Sequence, residues 1–203
     1  VQGWEFERVT LYVRTYGDDS WDGLASEYQC VGDVCSGPRL SGIIALDDLP
    51  DHGTLDIGQG TFPPSGIAQW QIGKPGITIV GAGAGSTILE QTEGNHEILV
   101  QADDVTLQGF TFRNLSWTNA PQVGIDVAKV DGSAVYRTTI RDVEIEGCEW
   151  FSIRLSNAHY ATLEGIGVRV PKGDPDEPAS KTRAIGVEDG SSNVTLNDVE
   201  VTG

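Results

Sequence analysis

Basic residues are scarce in this chain. Of 203 residues only 13 are Lys or Arg, and four of those are lysines (Lys74, Lys129, Lys172 and Lys181), against 30 Asp or Glu. A formal charge of −17 leaves no basic stripe to release counterions from phosphates, which excludes nucleic acid as a partner. No apolar run approaches the roughly 20 residues that span a bilayer. Val1 begins without a basic n-region or an h-region, as expected of a processed or excised chain. Histidine is limited to His52, His96 and His159, scattered in turns with no Ser-His-Asp logic linking them. Three cysteines allow one disulfide. Cys30 and Cys35 flank a Gly-containing stretch without the second pair or nearby His of a metal site, so they are expected to staple a loop. Cys148 is expected as a free, buried, small hydrophobe.

The acid surplus itself points to a high-salt exterior. Dispersed carboxylates keep a protein hydrated where molar salt shortens the Debye length to about 3 Å, and self-repulsion is suppressed there. An ordinary acidic secreted domain is the plainer alternative. The sequons at Asn114 and Asn193 agree with either exterior setting. Length fits one domain, and the 26 glycines and 9 prolines are spread as turn punctuation.

The chain repeats itself. Five segments share a small or apolar residue, Thr, Leu or Ile, any residue, then Gly or Asp, or in the first a second apolar residue before Gly: Ile77 to Gly81, Val105 to Gly109, Thr138 to Asp142, Ala161 to Gly165 and Val194 to Asp198. In the last four an apolar alternation follows, as in Phe110 and Phe112 or Val143 and Ile145. Gly most readily, then Asn or Asp, enters the left-handed region, so each unit reads as two short strands meeting at a bend. A third strand is supplied by Ile98 and Val100, by Val123, Ile125 and Val127, by Phe151, Ile153 and Leu155, and by Ile185 and Val187. The Leu/Ile anchors at 79, 107, 140, 163 and 196 give turns of 28, 33, 23 and 33 residues, which suits three strands with loops of uneven length. Such turns stack as an all-β, right-handed, single-stranded parallel β-helix with a continuous apolar interior. Thr78, Thr106, Thr139, Thr162 and Thr195 should then form a ladder.

Leu11 to Leu24, with its Gly17-Asp18-Asp19 turn, resembles the entry segment of pectin-lyase-like β-helix proteins. Gly53 to Phe62 and Gly76 to Ser86 resemble the first rungs of that superfamily. The resemblance implies a short capping helix over Ser41 to Leu49, with Ile43, Ile44, Leu46 and Leu49 buried. It divides the chain into an entry and cap segment at 1–50 and rungs at 51–203 that continue or are capped beyond. The insertion from Glu27 to Arg39 departs from the pattern. The superfamily holds lyases, esterases, hydrolases, tailspikes and non-catalytic surface proteins, so fold alone does not choose among them.

Candidate chemistry is sparse. Asp126 and Arg154 sit between apolar pairs as outward neighbours on adjacent rungs. They suit either an acid/base and anion-stabilising pair or a rung-to-rung salt bridge. Trp117 and Trp150 each follow a second strand by five residues, and form either a sugar-binding edge or packing under a loop. Asp18, Asp19 and Asp22 suggest a calcium site or a metal-free turn. Asp142 is assigned to a bend, and Glu144 and Glu146 to solvent. Gly81 to Ser86 follows a strand without opening a helix, unlike a dinucleotide loop. The reading favoured from sequence is an extracellular spike, turret, tail or surface module of a halophilic system, such as a virus. It is glycan-binding and trimeric, as closed symmetry would cover its rung faces. The alternative is a polysaccharide lyase, esterase or hydrolase.

Overall fold

The computed structural model describes residues 8–62, 70–91, 98–114, 123–148, 150–170 and 183–203. Seven parallel strands begin in one column, Thr10, Thr54, Thr78, Thr106, Thr139, Thr162 and Thr195, each paired in register with the next. The expected ladder is present and extends two rungs further back. The strand Thr10–Val13, expected to lead to the first rung, is itself the first rung.

Four strands, Thr106–Asn114, Thr139–Glu146, Thr162–Arg169 and Thr195–Thr202, continue through a bend into a second wall. Their hinge residues Gly109, Asp142, Gly165 and Asp198 have φ of 71°, 52°, 62° and 50°. Gly81 departs from the expectation: it ends its strand outside the left-handed region, and the turn is made by Gly83 and Gly85. Glycine is still required there, because a Cβ would lie 2.3 Å from the Gly109 carbonyl oxygen. A third wall stacks Trp70–Ile72, Ile98–Val100, Val123–Val127, Phe151–Ser156 and Arg183–Glu188, all parallel. The fold is a parallel β-helix.

A second left-handed column, two residues before each Thr from Thr54 on, is invisible to the repeat pattern: His52, Gly76, Asp104, Arg137, Tyr160 and Asn193. A left-handed non-Gly residue costs about 1 kcal/mol. Here the geometry aims backbone N–H groups at the next rung: Asp104 donates to the Tyr136 carbonyl, Arg137 to His159, and Tyr160 to Ser192.

Interior columns run across the rungs, such as Leu55, Ile79, Leu107, Ile140 and Leu163 on the first wall and Ile72, Val100, Val127 and Leu155 on the third. In the final rung the same columns surface, with Leu196 and Val187 about half exposed. The helix Gly42–Asp48 lies against the first two rungs and buries Ala45, Leu46 and Leu49. The side chains of Ile43 and Ile44 lie outside the described residues. Lys74 Nζ donates to the carbonyls of Asp47 at 2.7 Å and Leu49 at 2.6 Å, capping the end of this helix. Cys30 and Cys35 form a disulfide across the hairpin Gln29–Val31/Val34–Ser36. Val31 and Val34 at its tip are 83% and 73% exposed, so this insertion stands off the core. Cys148 is a buried free thiol, and burial pushes its pKa up to about 12.

Candidate functional site

The outer face of the third wall carries a cleft. Leu99, Asp126, Arg154 and Gly186 occupy one register column. Arg154 Nε donates to Asp126 Oδ1 at 2.9 Å, and its Nη2 donates to Oδ2. The sequence expectation of neighbours on adjacent rungs matches this geometry, but Asp126 is not solvated: its side chain is 3% exposed. Both oxygens are committed to the guanidinium, so Asp126 orients Arg154 and is closed to substrate protons. Gly186 then leaves room that the Phe151 ring fills, for a Cβ on Gly186 would meet that ring at 2.4 Å. Phe151, expected in the interior, therefore lies on the outer side. The Arg183 guanidinium sits 5.3 Å from the Phe151 ring centroid and donates to Glu188 Oε1 at 3.3 Å. Trp150 stands at the rim, 48% exposed. Among the described residues, Trp150, Phe151, Arg154, Arg183 and Glu188 line a groove of about 290 Å³. An apolar ring face beside two guanidinium groups suits a sugar that carries an anionic substituent.

Phe151, Arg183 and Glu188 were missed as site residues. Their signal was available only by counting back from Ile153 and Ile185, which puts Phe151 and Arg183 in register. Trp117 lies outside the described residues. Arg113 bridges Glu146 at 2.7 Å and Glu90 at 3.5 Å, and Arg169 continues the column 3.6 Å from Glu146. Glu146, expected in solvent, is thus half-buried in an alternating ion ladder.

In the aspartate turn the three carboxylates serve separate backbone jobs. Asp18 accepts from Ser20 N–H, and Asp19 accepts from the N–H groups of Leu40 and Ser41 at the mouth of the helix. Asp22 accepts from Leu24 and Gly37 N–H and from the Ser36 hydroxyl. Among the described residues no three His, Cys, Asp or Glu side chains converge as metal ligands. Asn114 is buried and its amide nitrogen donates to the Gly147 carbonyl, a bond that a glycan there would disturb. Asn193 is exposed at a corner.

The histidines carry a correction. His159 is not isolated: Nδ1 lies 2.7 Å from Ser192 Oγ, and Nε2 lies 3.2 Å from Asn157 Oδ1. Thirty-three residues separate the serine from the histidine, one turn of the helix, which is why the chain order hid the relation.

No family model matches the sequence, and no curated protein does. Among solved structures the chain is similar to a "putative glycosyl hydrolase" from Parabacteroides merdae ATCC 43184, with a TM-score of 0.50 and 12% identity over 75% of each chain. It is also similar to a rhamnogalacturonan lyase, with a TM-score of 0.46 and 12% identity over 95% of this chain and 66% of the other. At such identity the first likeness shows the shared β-helix architecture alone.

Proposed function

We propose that this chain is a carbohydrate-active β-helix protein that seats an anionic polysaccharide in the groove of its third wall. The carrying observation is the exposed Trp150 indole beside Arg183 and the Asp126-braced Arg154. The exposed indole supplies apolar area for a sugar face, Phe151 backs the Arg183 guanidinium from beneath, and the guanidinium groups meet carboxylates or sulfates. On a surface of net charge −17, the groove's two guanidinium groups offset its own carboxylates, Asp126 and Glu188, so it repels an anionic polymer less than the rest of the rod does. The sequence alone favoured a non-cleaving spike. The groove, together with an architecture also found in proteins named for glycan cleavage, supports the polysaccharide-processing alternative instead.

The test titrates the whole chain in molar NaCl with polygalacturonate and with cellohexaose, following indole fluorescence while unsaturated products and reducing ends are assayed. Polygalacturonate should bind, and Trp150→Ala or Arg183→Ala should each weaken it about tenfold, a loss of about 1.4 kcal/mol. Undiminished binding in both variants would remove the groove as the site.

A further inference from the structure

We propose that Ser192 is a nucleophile and that this corner of the helix hydrolyses carboxylic esters, with O-acylated sugars as the substrate class. The choice of sugar esters rests on the carbohydrate reading above; the chemistry at Ser192 does not.

The constellation is built by rung stacking. Ser192 N–H donates to the Ala158 carbonyl at 3.1 Å and Tyr160 N–H donates to the Ser192 carbonyl at 3.0 Å, which seats Ser192 over His159. The tautomer follows from one amide. Asn157 Nδ2 donates to the Gly132 carbonyl at 2.9 Å, so Oδ1 is the end that faces the imidazole. An amide oxygen only accepts, and Nε2 therefore carries the ring proton. Nδ1 is left with its lone pair, to which Ser192 Oγ–H donates at 2.7 Å. Nucleophile, base and orienting group stand in the order that acyl transfer uses. A neutral amide in the third place keeps the imidazole's tautomer and direction without the charge of a carboxylate. Tyr136 stacks on the His159 ring at 5.1 Å and fixes its plane. Asn193, next in the chain at φ 54°, brings Nδ2 to 3.3 Å from Ser192 Oγ, a donor that helps to hold the hydroxyl in place. Ser192 is exposed, so an ester can reach it.

The step balances with water as the only co-reactant. Ser192 Oγ attacks the acyl carbon as its proton passes to His159 Nδ1. The carbon–oxygen bond to the sugar breaks, and the departing oxygen takes that proton and leaves as a hydroxyl. Water then attacks the acyl-serine, giving a proton to Nδ1 that returns to Oγ as the acid is released.

The whole chain is incubated with p-nitrophenyl acetate and with acetylated xylan, following nitrophenol and acetate, and separately with a fluorophosphonate probe mapped by mass spectrometry. The probe should label Ser192. Ser192→Ala and His159→Gln should each lower nitrophenol release at least about 100-fold with an unchanged melting temperature. Asn157→Gly, which suits the φ of 49° but removes the amide, should lower it and Asn157→Asp preserve it, a split that a purely structural corner would not show. Absence of both labelling and turnover in the wild type, or turnover that survives Ser192→Ala, overturns the proposal. Ser192-dependent release from p-nitrophenyl acetate without acetate from xylan overturns the sugar-ester assignment and leaves the nucleophile standing.

Discussion

Asp126 gives both carboxylate oxygens to Arg154 one rung on, with the acid 3% exposed and the base 33%. Removing one partner strands the other. Arg154→Met should cost about 3 kcal/mol in a denaturant titration, because a buried carboxylate loses its counter-charge. The double variant Asp126→Leu/Arg154→Met should recover most of that stability yet lose polygalacturonate binding. A double variant as unstable as the single one would show that the pair is not the source of the loss.

Other cations are committed to carboxylates as well. Arg14 meets Asp56 at 2.8 Å, Lys129 meets Asp103 at 3.2 Å and Arg137 meets Asp104 at 2.5 Å, each across rungs. With 13 basic residues against 30 acids, most carboxylates have no cation to meet. Thermal melts in molar and in about 0.1 M NaCl should differ by more than about 10 °C, the high-salt midpoint being higher. Equal midpoints would count against the high-salt reading.

Carboxylates depressed in the folded state set the acid limit, Asp104 and Asp22 among them. Arg137, by hydrogen bond, holds Asp104 below the usual carboxylate range against an opposing desolvation. Burial pushes Asp22 up, but the donors of Leu24, Ser36 and Gly37 together pull it below that range. Groups depressed in the folded state contribute stability above their unfolded pKa, about 3.9, and lose it as pH falls through the lower folded value. Stability in high salt should therefore be level above about pH 5 and fall below about pH 4. Asp22→Asn should flatten that acid limb, and an unchanged slope would mean Asp22 is not among its causes.

At the bends, Gly109→Val and Gly165→Val should both destabilise. A Cβ on Gly109 would sit 2.8 Å from the Gly81 carbonyl oxygen, and one on Gly165 would sit 2.9 Å from Asp142 Oδ1. A β-branched residue is also a poor occupant of φ near 70° or 62°. The loss should reach a few kcal/mol at each, larger at Gly109, where backbone cannot swing aside. Circular dichroism melts at wild-type temperature would contradict the bend assignment.

At the second corner, Tyr160 holds φ 58° with an exposed side chain. Tyr160→Asn should keep or raise the melting temperature by up to a few degrees, as Asn enters this region more readily. Tyr160→Val should lower it. Equal effects would indicate that the ring, and not the backbone, matters there.

The Thr column and the Gly/Asp hinges were legible because one backbone demand recurs with one residue chemistry. The corner before each Thr was not, since His, Gly, Asp, Arg, Tyr and Asn fill it and share only a dihedral angle. Asp126 and Arg154 were legible by alternation, whereas Ser192 and His159 become neighbours through a full turn of the helix. That turn contains residues 171–182, and no local spacing rule counts across it.

The uneven turns have a mechanical consequence. Every rung is held by parallel hydrogen bonds to its neighbours, while from Ile79 on the anchors recur after 23 to 33 residues. Pulled by its two ends, such a coil peels instead of tearing. It should pay out in discrete lengths, each one turn of chain, or about 80–120 Å of slack per event at full extension. A force trace would thus display the loop lengths as a series of unequal steps, the shortest belonging to the turn between Ile140 and Leu163.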